Sequence, residues 1–151
     1  MRMEPTSNPP PAILSAGLRD LRQVARVERE CFLDDAWPLI DIITVLILPG
    51  MIRYKAELDE RVIGFAAAED RSSVGWITTI GVIPDYRRRG IARILLAACE
   101  ERLSASRFRL CVRRSNYAAQ FLYQQQDYHQ VDIWPRYYRG GEDALVMEKS
   151  R

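Results

Sequence analysis

Between Leu18 and Phe32, apolar side chains fall at Leu18, Leu21, Val24, Ala25, Cys31 and Phe32, with arginine, aspartate, glutamine and glutamate between them. A recurrence every three to four residues gathers them on one face of an amphipathic helix packed against a core. The next apolar run, Pro38 to Leu48, is rich in β-branched residues and suits a strand or a helix, and Pro49-Gly50 ends it in either case. "MIRYKAEL" and "RVIGFAAAE", joined by Asp59-Glu60, predict a hairpin, and "SVGWITTIGVIP" predicts a further strand closed by Pro84.

From Gly90 the pattern changes period. Ile91, Ile94, Leu95, Ala98 and Cys99 follow the spacing of a helix laid on a sheet, running to about Ser104. "RFRLCVRR" then alternates, with Phe108, Leu110 and Val112 on one face and Arg107, Arg109, Cys111 and Arg113 on the other. "SNYAAQFLYQQQ" returns to a helical period through Ala118, Phe121 and Leu122, with Ser115 placed to cap it, and "YHQVDIW" and "DALVMEK" read as closing strands. The order is helix, hairpin, strand, helix, strand, helix, strand, strand, which predicts an α/β chain with a mixed sheet flanked by helices.

Composition narrows the organisation. A chain of 151 residues, 48% of them hydrophobic, fits one cored domain. Residues 1–12, "MRMEPTSNPPPA", carry three consecutive prolines and read as an extended flexible leader, leaving 13–151 as the domain. The net charge of +2 does not by itself call for nucleic acid, so any basic feature is local. Cys31, Cys99 and Cys111 are odd in number and irregularly spaced, which argues against a disulfide framework or a zinc cluster and favours a reducing, cytoplasmic setting. The run Leu39–Leu48, interrupted by Asp41, is too short to span a bilayer. His129 is the single histidine, which excludes a histidine-based triad or a multi-histidine metal site.

The chemistry concentrates in "PDYRRRGIAR", residues 84–93. A strand end, a basic turn, a glycine and the start of an amphipathic helix together make an anion site. The first turn of the helix has unpaired N–H groups, the dipole adds positive potential, and glycine admits a phosphate close to the backbone. Arginines can add charge-assisted hydrogen bonds to the same anion. Neither G-x-x-x-x-G-K-[ST] nor G-x-G-x-x-G is present, so nucleoside triphosphate and dinucleotide loops are set aside.

What stands there, Arg87-x-x-Gly90-x-Ala92, resembles the R/Q-x-x-G-x-G/A acetyl-coenzyme A signature of the GNAT family of N-acetyltransferases. "ITTIGVIPDY" resembles that family's splayed central strand, and "CVRRSNYAAQFLYQQQDY" resembles its "xVRxSNxxAxxLYxxxGF" segment. "RYYRGGEDALVMEK" resembles the tail of the ribosomal-protein-alanine N-acetyltransferase branch. The resemblance covers most of the chain after Leu18. It implies a mixed, mostly antiparallel sheet with a splayed strand at the cofactor site. It also implies that acetyl-CoA is held at Arg87, Arg88, Arg89, Gly90, Ile91, Ala92 and Arg93, with backbone groups near Ile80 and Val82 pairing with pantetheine and Asn116 touching the cofactor. Tyr123 becomes the general acid that returns a proton to the departing thiolate.

Two positions depart from the pattern. Cys111 stands where the ribosomal-protein branch carries a glutamate base, and Asp127 replaces the glycine before Tyr128. An α-amine with a pKa of about 7.7–8.0 is roughly a tenth neutral at pH 7, whereas a lysine amine near 10.4 must find about 4–5 kcal/mol. Loss of a strong base therefore weighs less on N-terminal transfer, with Glu69, Asp70 or a water chain as substitutes. Trp37, Trp134, Tyr137 and Tyr138 are candidates to rim a peptide groove or to fill core. The expected activity is acetyl transfer to a protein or peptide N-terminus by a monomer or homodimer, without membrane or nucleic-acid partners. The alternatives are a small-molecule amine as acceptor, or a non-catalytic acyl-CoA-binding module.

Overall fold

The computed structural model describes residues 9–151, and seven strands form one sheet in the order β1-β2-β3-β4-β5-β7-β6. The strands are β1 Ala12–Ser15, β2 Ile52–Leu58, β3 Arg61–Arg71, β4 Val74–Val82, β5 Arg107–Arg113, β6 His129–Trp134 and β7 Ala144–Ser150. The helices are α1 Leu21–Phe32, α2 Leu39–Ile47, α3 Ile91–Arg102 and α4 Tyr117–Gln125. All neighbouring strands run antiparallel except β4 and β5, which are parallel and joined through α3. The mixed, mostly antiparallel sheet expected from the sequence is present.

Two glycines show how the layers sit. A side chain at Gly64 on β3 would meet Leu95 of α3, and one at Gly81 on β4 would meet the Cys31 Sγ of α1 at 2.9 Å. The helices therefore cover opposite faces of the sheet, and the glycines allow each to approach the backbone closely. Val24 and Val27 of α1 fill the core on the face of β3 that carries Ile63 and Phe65, and Leu95, Leu96 and Cys99 of α3 fill it on the opposite face. The alternation expected along β5 holds, with Phe108, Leu110 and Val112 buried and the intervening positions partly open.

Several elements differ from the expectation. The ambiguous run after Pro38 is a helix, because Ile42 and Leu46, one turn apart, reach the core while Leu39, Ile40 and Ile47 stay exposed. β1 was not foreseen: its four residues add an edge strand to β2 with little burial of their own, so alternation gives no signal. It begins at Ala12, inside the segment read as leader, and residues 1–8 of that segment lie outside the described residues. Leu18–Asp20 form a 3-10 turn ahead of α1, closed by the Gly17 N–H donating to Asp20. Asn116, not Ser115, caps α4. Its Oδ1 accepts the Ala119 N–H at 3.2 Å, while the Ser115 N–H donates to Glu142.

Candidate active site

β4 and β5 pair only over Val74–Trp76 and Arg107–Arg109, and beyond that register they part. The unpaired stretch of β4 opens a cleft of about 1380 Å³ that passes between the strands and is lined from both faces of the sheet. The Ile83 N–H donates to the Ile63 carbonyl at 2.9 Å, which fixes the phase of the β3–β4 ladder. Gly81 and Ile83 therefore spend their polar backbone groups on β3, while Ile80 and Val82 turn theirs toward the gap. Such an edge can pair with an extended amide-bearing ligand. The Val82 carbonyl is already taken by the Arg87 Nε at 2.9 Å, which leaves the Val82 N–H and both groups of Ile80.

Past β4 the chain makes a 3-10 turn at Pro84–Tyr86 and then alternates in handedness, with positive φ at Arg88 (61°) and Gly90 (78°). Among the described residues, the N–H groups of Arg88, Arg89, Gly90, Ile91, Ala92 and Arg93 donate no hydrogen bond. A row of unpaired N–H groups on a turn of this kind is a concave anion-binding nest, strengthened by the α3 dipole. The Arg93 Nη2 would stand 3.7 Å from a side chain at Gly90, so its guanidinium folds over the nest.

The arginines divide their work. Arg88 and Arg93 border the cleft, and Arg87 borders it while locking the turn to β4. Arg89 turns away: its guanidinium stacks on Tyr86 at 5.0 Å and lines a separate shallow hollow beside Pro9 and Asp85. Its backbone N–H belongs to the nest but its side chain does not.

On the α3–α4 side, Tyr123 is 6% exposed, its ring packed edge-on to Tyr128 at 6.1 Å, and it borders the cleft. Its hydroxyl has no hydrogen-bond partner among the described residues, and burial raises its pKa well above the usual tyrosine value. It thus keeps its proton, with no acceptor for it among the described residues. Asn116 borders the same cleft at the head of α4, with its carbonyl oxygen committed to the cap and its amide nitrogen left over.

The α1–α2 side carries a different set. Cys111 faces this side with its thiol pushed up to about 11 by burial, so it is neutral at physiological pH and is no base. Of the two carboxylates considered as substitutes, Asp70 is engaged elsewhere, accepting the Ser104 and Ala105 N–H groups at 2.9 and 3.0 Å. Glu69 does reach the cleft and pairs with Arg71 at 2.5 Å. Trp37, Trp134, Tyr137 and Tyr138 all line the opening, and Trp76 extends the group through its contact with Trp134 at 5.6 Å. Tyr138 is steadied by Arg113, whose guanidinium lies 4.7 Å over its ring and is held between Asp35 and Glu142.

Glu28 was not singled out from the sequence. It is 2% exposed on α1, borders the cleft, and accepts the Thr79 hydroxyl at 2.7 Å through Oε1. Its Oε2 is buried with no hydrogen-bond partner among the described residues. A signal existed: Glu28 lies four residues after Val24 and three before Cys31, so it places a charge on the apolar stripe of the helix.

The chain matches the acetyltransferase (GNAT) family over residues 18–128. It is 31% identical to N-alpha-acetyltransferase RimI of Mycobacterium tuberculosis, over 95% of this chain and 96% of that one. It is also 31% identical to an uncharacterised N-acetyltransferase of Methanocaldococcus jannaschii, over 88% and 87% of the two chains. Among solved structures, the ribosomal-protein-S18-alanine N-acetyltransferase of Escherichia coli superposes with a TM-score of 0.81 at 25% identity, covering 92% of each chain. Arabidopsis thaliana NAA60 in complex with a bisubstrate analogue gives the same TM-score at 20% identity, covering 92% of this chain and 97% of that one, a likeness of fold. With the parted strands, the anion nest and a family match over most of its length, this chain is a member of the GNAT family of acetyltransferases.

Proposed function

We propose that this protein transfers acetyl from acetyl-coenzyme A to the α-amine at the N-terminus of a protein or peptide. The observation that carries the reading is the cleft between β4 and β5, open to both faces of the sheet. One face offers the nest at Arg88–Arg93 for the pyrophosphate and the Ile80 and Val82 edge for the pantetheine amides. The other offers an aromatic rim at Trp37, Trp134, Tyr137 and Tyr138, suited to a peptide end. The N-alpha-acetyltransferase names borne by relatives that span nearly the whole chain support the same acceptor.

The cofactor supplies an activated thioester. The residues do the rest: Asn116 offers its amide nitrogen to the cofactor, and Tyr123 holds a proton at its hydroxyl where the sulfur departs. Burial that keeps the proton on Tyr123 also disfavours a bare thiolate beside it, so both groups are raised together and the transfer is not uphill by the tyrosine shift alone. Cys111, neutral and small, leaves no strong base on the strand, which favours an amine that is already partly neutral at pH 7.

The test is thiol release from acetyl-CoA against peptides with unblocked N-termini and against free polyamines and amino acids. Release on the peptides at rates well above the small amines supports the reading. The reverse order reassigns the acceptor.

A further inference from the structure

Glu28 is a buried carboxylate without a cation. No lysine or arginine nitrogen lies within salt-bridge distance of it among the described residues, and only one of its oxygens is hydrogen-bonded. Its surroundings are the Thr79 hydroxyl from β4, the Trp37 backbone N–H from the α1–α2 connection, which faces the carboxylate without reaching hydrogen-bond geometry, and Cys31 one turn along α1. Arg87, which also borders the cleft, is engaged with Val82 and Cys31. A buried charge left this way is costly to the fold, more than its one hydrogen bond from Thr79 returns. Its cost suggests a use.

The position suggests which use. Thr79 lies on β4 three residues past Trp76, the last one paired with β5, and its side chain points to the α1 face, as that of Gly81 would. This is the side that bears Cys111 and the aromatic rim. We infer that Glu28, acting through the Thr79 hydroxyl, accepts the proton that the substrate's α-ammonium must lose, replacing the strand base that Cys111 does not supply. The inference rests on the N-terminal reading above.

The proton balance is simple. An N–H of the ammonium donates to Thr79 Oγ1, the Thr79 hydroxyl proton passes to Glu28 Oε1, and the products are a neutral amine and a neutral carboxylic acid. No oxidant or second substrate enters. Burial raises the Glu28 carboxyl above its ordinary value, opposed in part by Thr79 and the Trp37 N–H, which moves it toward the working range of a proton acceptor. Glu28 does not touch the acceptor; it is a positioning and proton-holding residue, and Thr79 is its contact.

The experiment is the pH profile of acetyl transfer to a peptide beginning with an unblocked alanine, for wild type, Glu28→Gln, Thr79→Val and Thr79→Ser. Glu28→Gln lowers kcat about 100-fold at pH 7 with the KM for acetyl-CoA unchanged. The deficit narrows to a few-fold near pH 9, where the α-amine is already neutral. Thr79→Val reproduces the pattern, and Thr79→Ser recovers most of what valine loses. Wild-type kcat at pH 7 in Glu28→Gln, or a deficit of equal size at pH 7 and pH 9, overturns the relay while leaving the acceptor assignment intact. A wild-type enzyme inactive on the peptide but active on small amines overturns the acceptor assignment and the relay with it. Should Glu28→Gln fail to fold, Thr79→Val alone decides by the same comparison.

Discussion

Replacing Gly90 by aspartate tests the nest by charge. Gly90 has φ +78° at the head of α3, and a side chain there would meet nothing nearer than the Arg93 Nη2 at 3.7 Å. Steric conflict within the protein is therefore small, and the cost to folding is the left-handed backbone, about 1–2 kcal/mol for a residue with a side chain. Alanine carries that cost without charge. If the pyrophosphate sits in the nest, a separation of about 5 Å between the aspartate carboxylate and a phosphate charge corresponds to a repulsion of about 3 kcal/mol at an effective dielectric constant of about 20. That corresponds to a roughly 200-fold loss of acetyl-CoA affinity relative to Gly90→Ala. Calorimetric titration of the three proteins measures it, and repetition near 1 M salt, where the screening length is about 3 Å, should shrink the gap between the two variants. Equal affinities for Gly90→Asp and Gly90→Ala at low salt would refute the placement of the pyrophosphate.

Tyr123→Phe should lower kcat by about two orders of magnitude with acetyl-CoA affinity and melting temperature nearly unchanged, because the lost hydroxyl has no partner among the described residues and the ring packing survives. Cys111→Glu, beside Arg71 on the amine side, should raise transfer to lysine-type amines on the order of tenfold, and more than transfer to α-amines; steady-state rates from pH 7 to 9 decide this. Glu28→Gln should melt higher than wild type at neutral pH. A carboxyl whose pKa is raised by burial binds its proton more tightly folded than unfolded, so its destabilising effect grows as pH climbs from its ordinary value near 4.5 through the folded one. The difference in melting temperature should close below about pH 4, and an equal difference at pH 4 and 7 would deny the burial effect.

Periodicity alone reached three of the four helices and for Pro38–Leu48 left strand and helix equal; that run is a helix because Ile42 and Leu46 find the core one turn apart. β1 was not legible because an edge strand of four mostly exposed residues needs its neighbour, not an apolar pattern, to exist. The turn itself was legible because a proline, a glycine and a change of hydrophobic period mark the junction between β4 and α3. Sequence could not divide the arginines, since their roles depend on which way a strained turn faces: Arg87 holds the Val82 carbonyl and Arg89 lies on Tyr86. Nor could it choose between Glu69 and Asp70, adjacent in the chain, of which one enters the cleft and the other caps the chain after α3. Glu28 was present as a charge on an apolar stripe, but only the meeting of α1 with Thr79 of β4 gives that charge a neighbour.

The most direct measurement pairs two versions of one lysine-containing peptide with acetyl-CoA, one with its N-terminus unblocked and the other with it already acetylated, and follows thiol release and product mass. Release on the unblocked peptide alone, with one acetyl group added at the α-amine, is the predicted result. Equal release on the blocked peptide, with acetyl on the lysine, would contradict it.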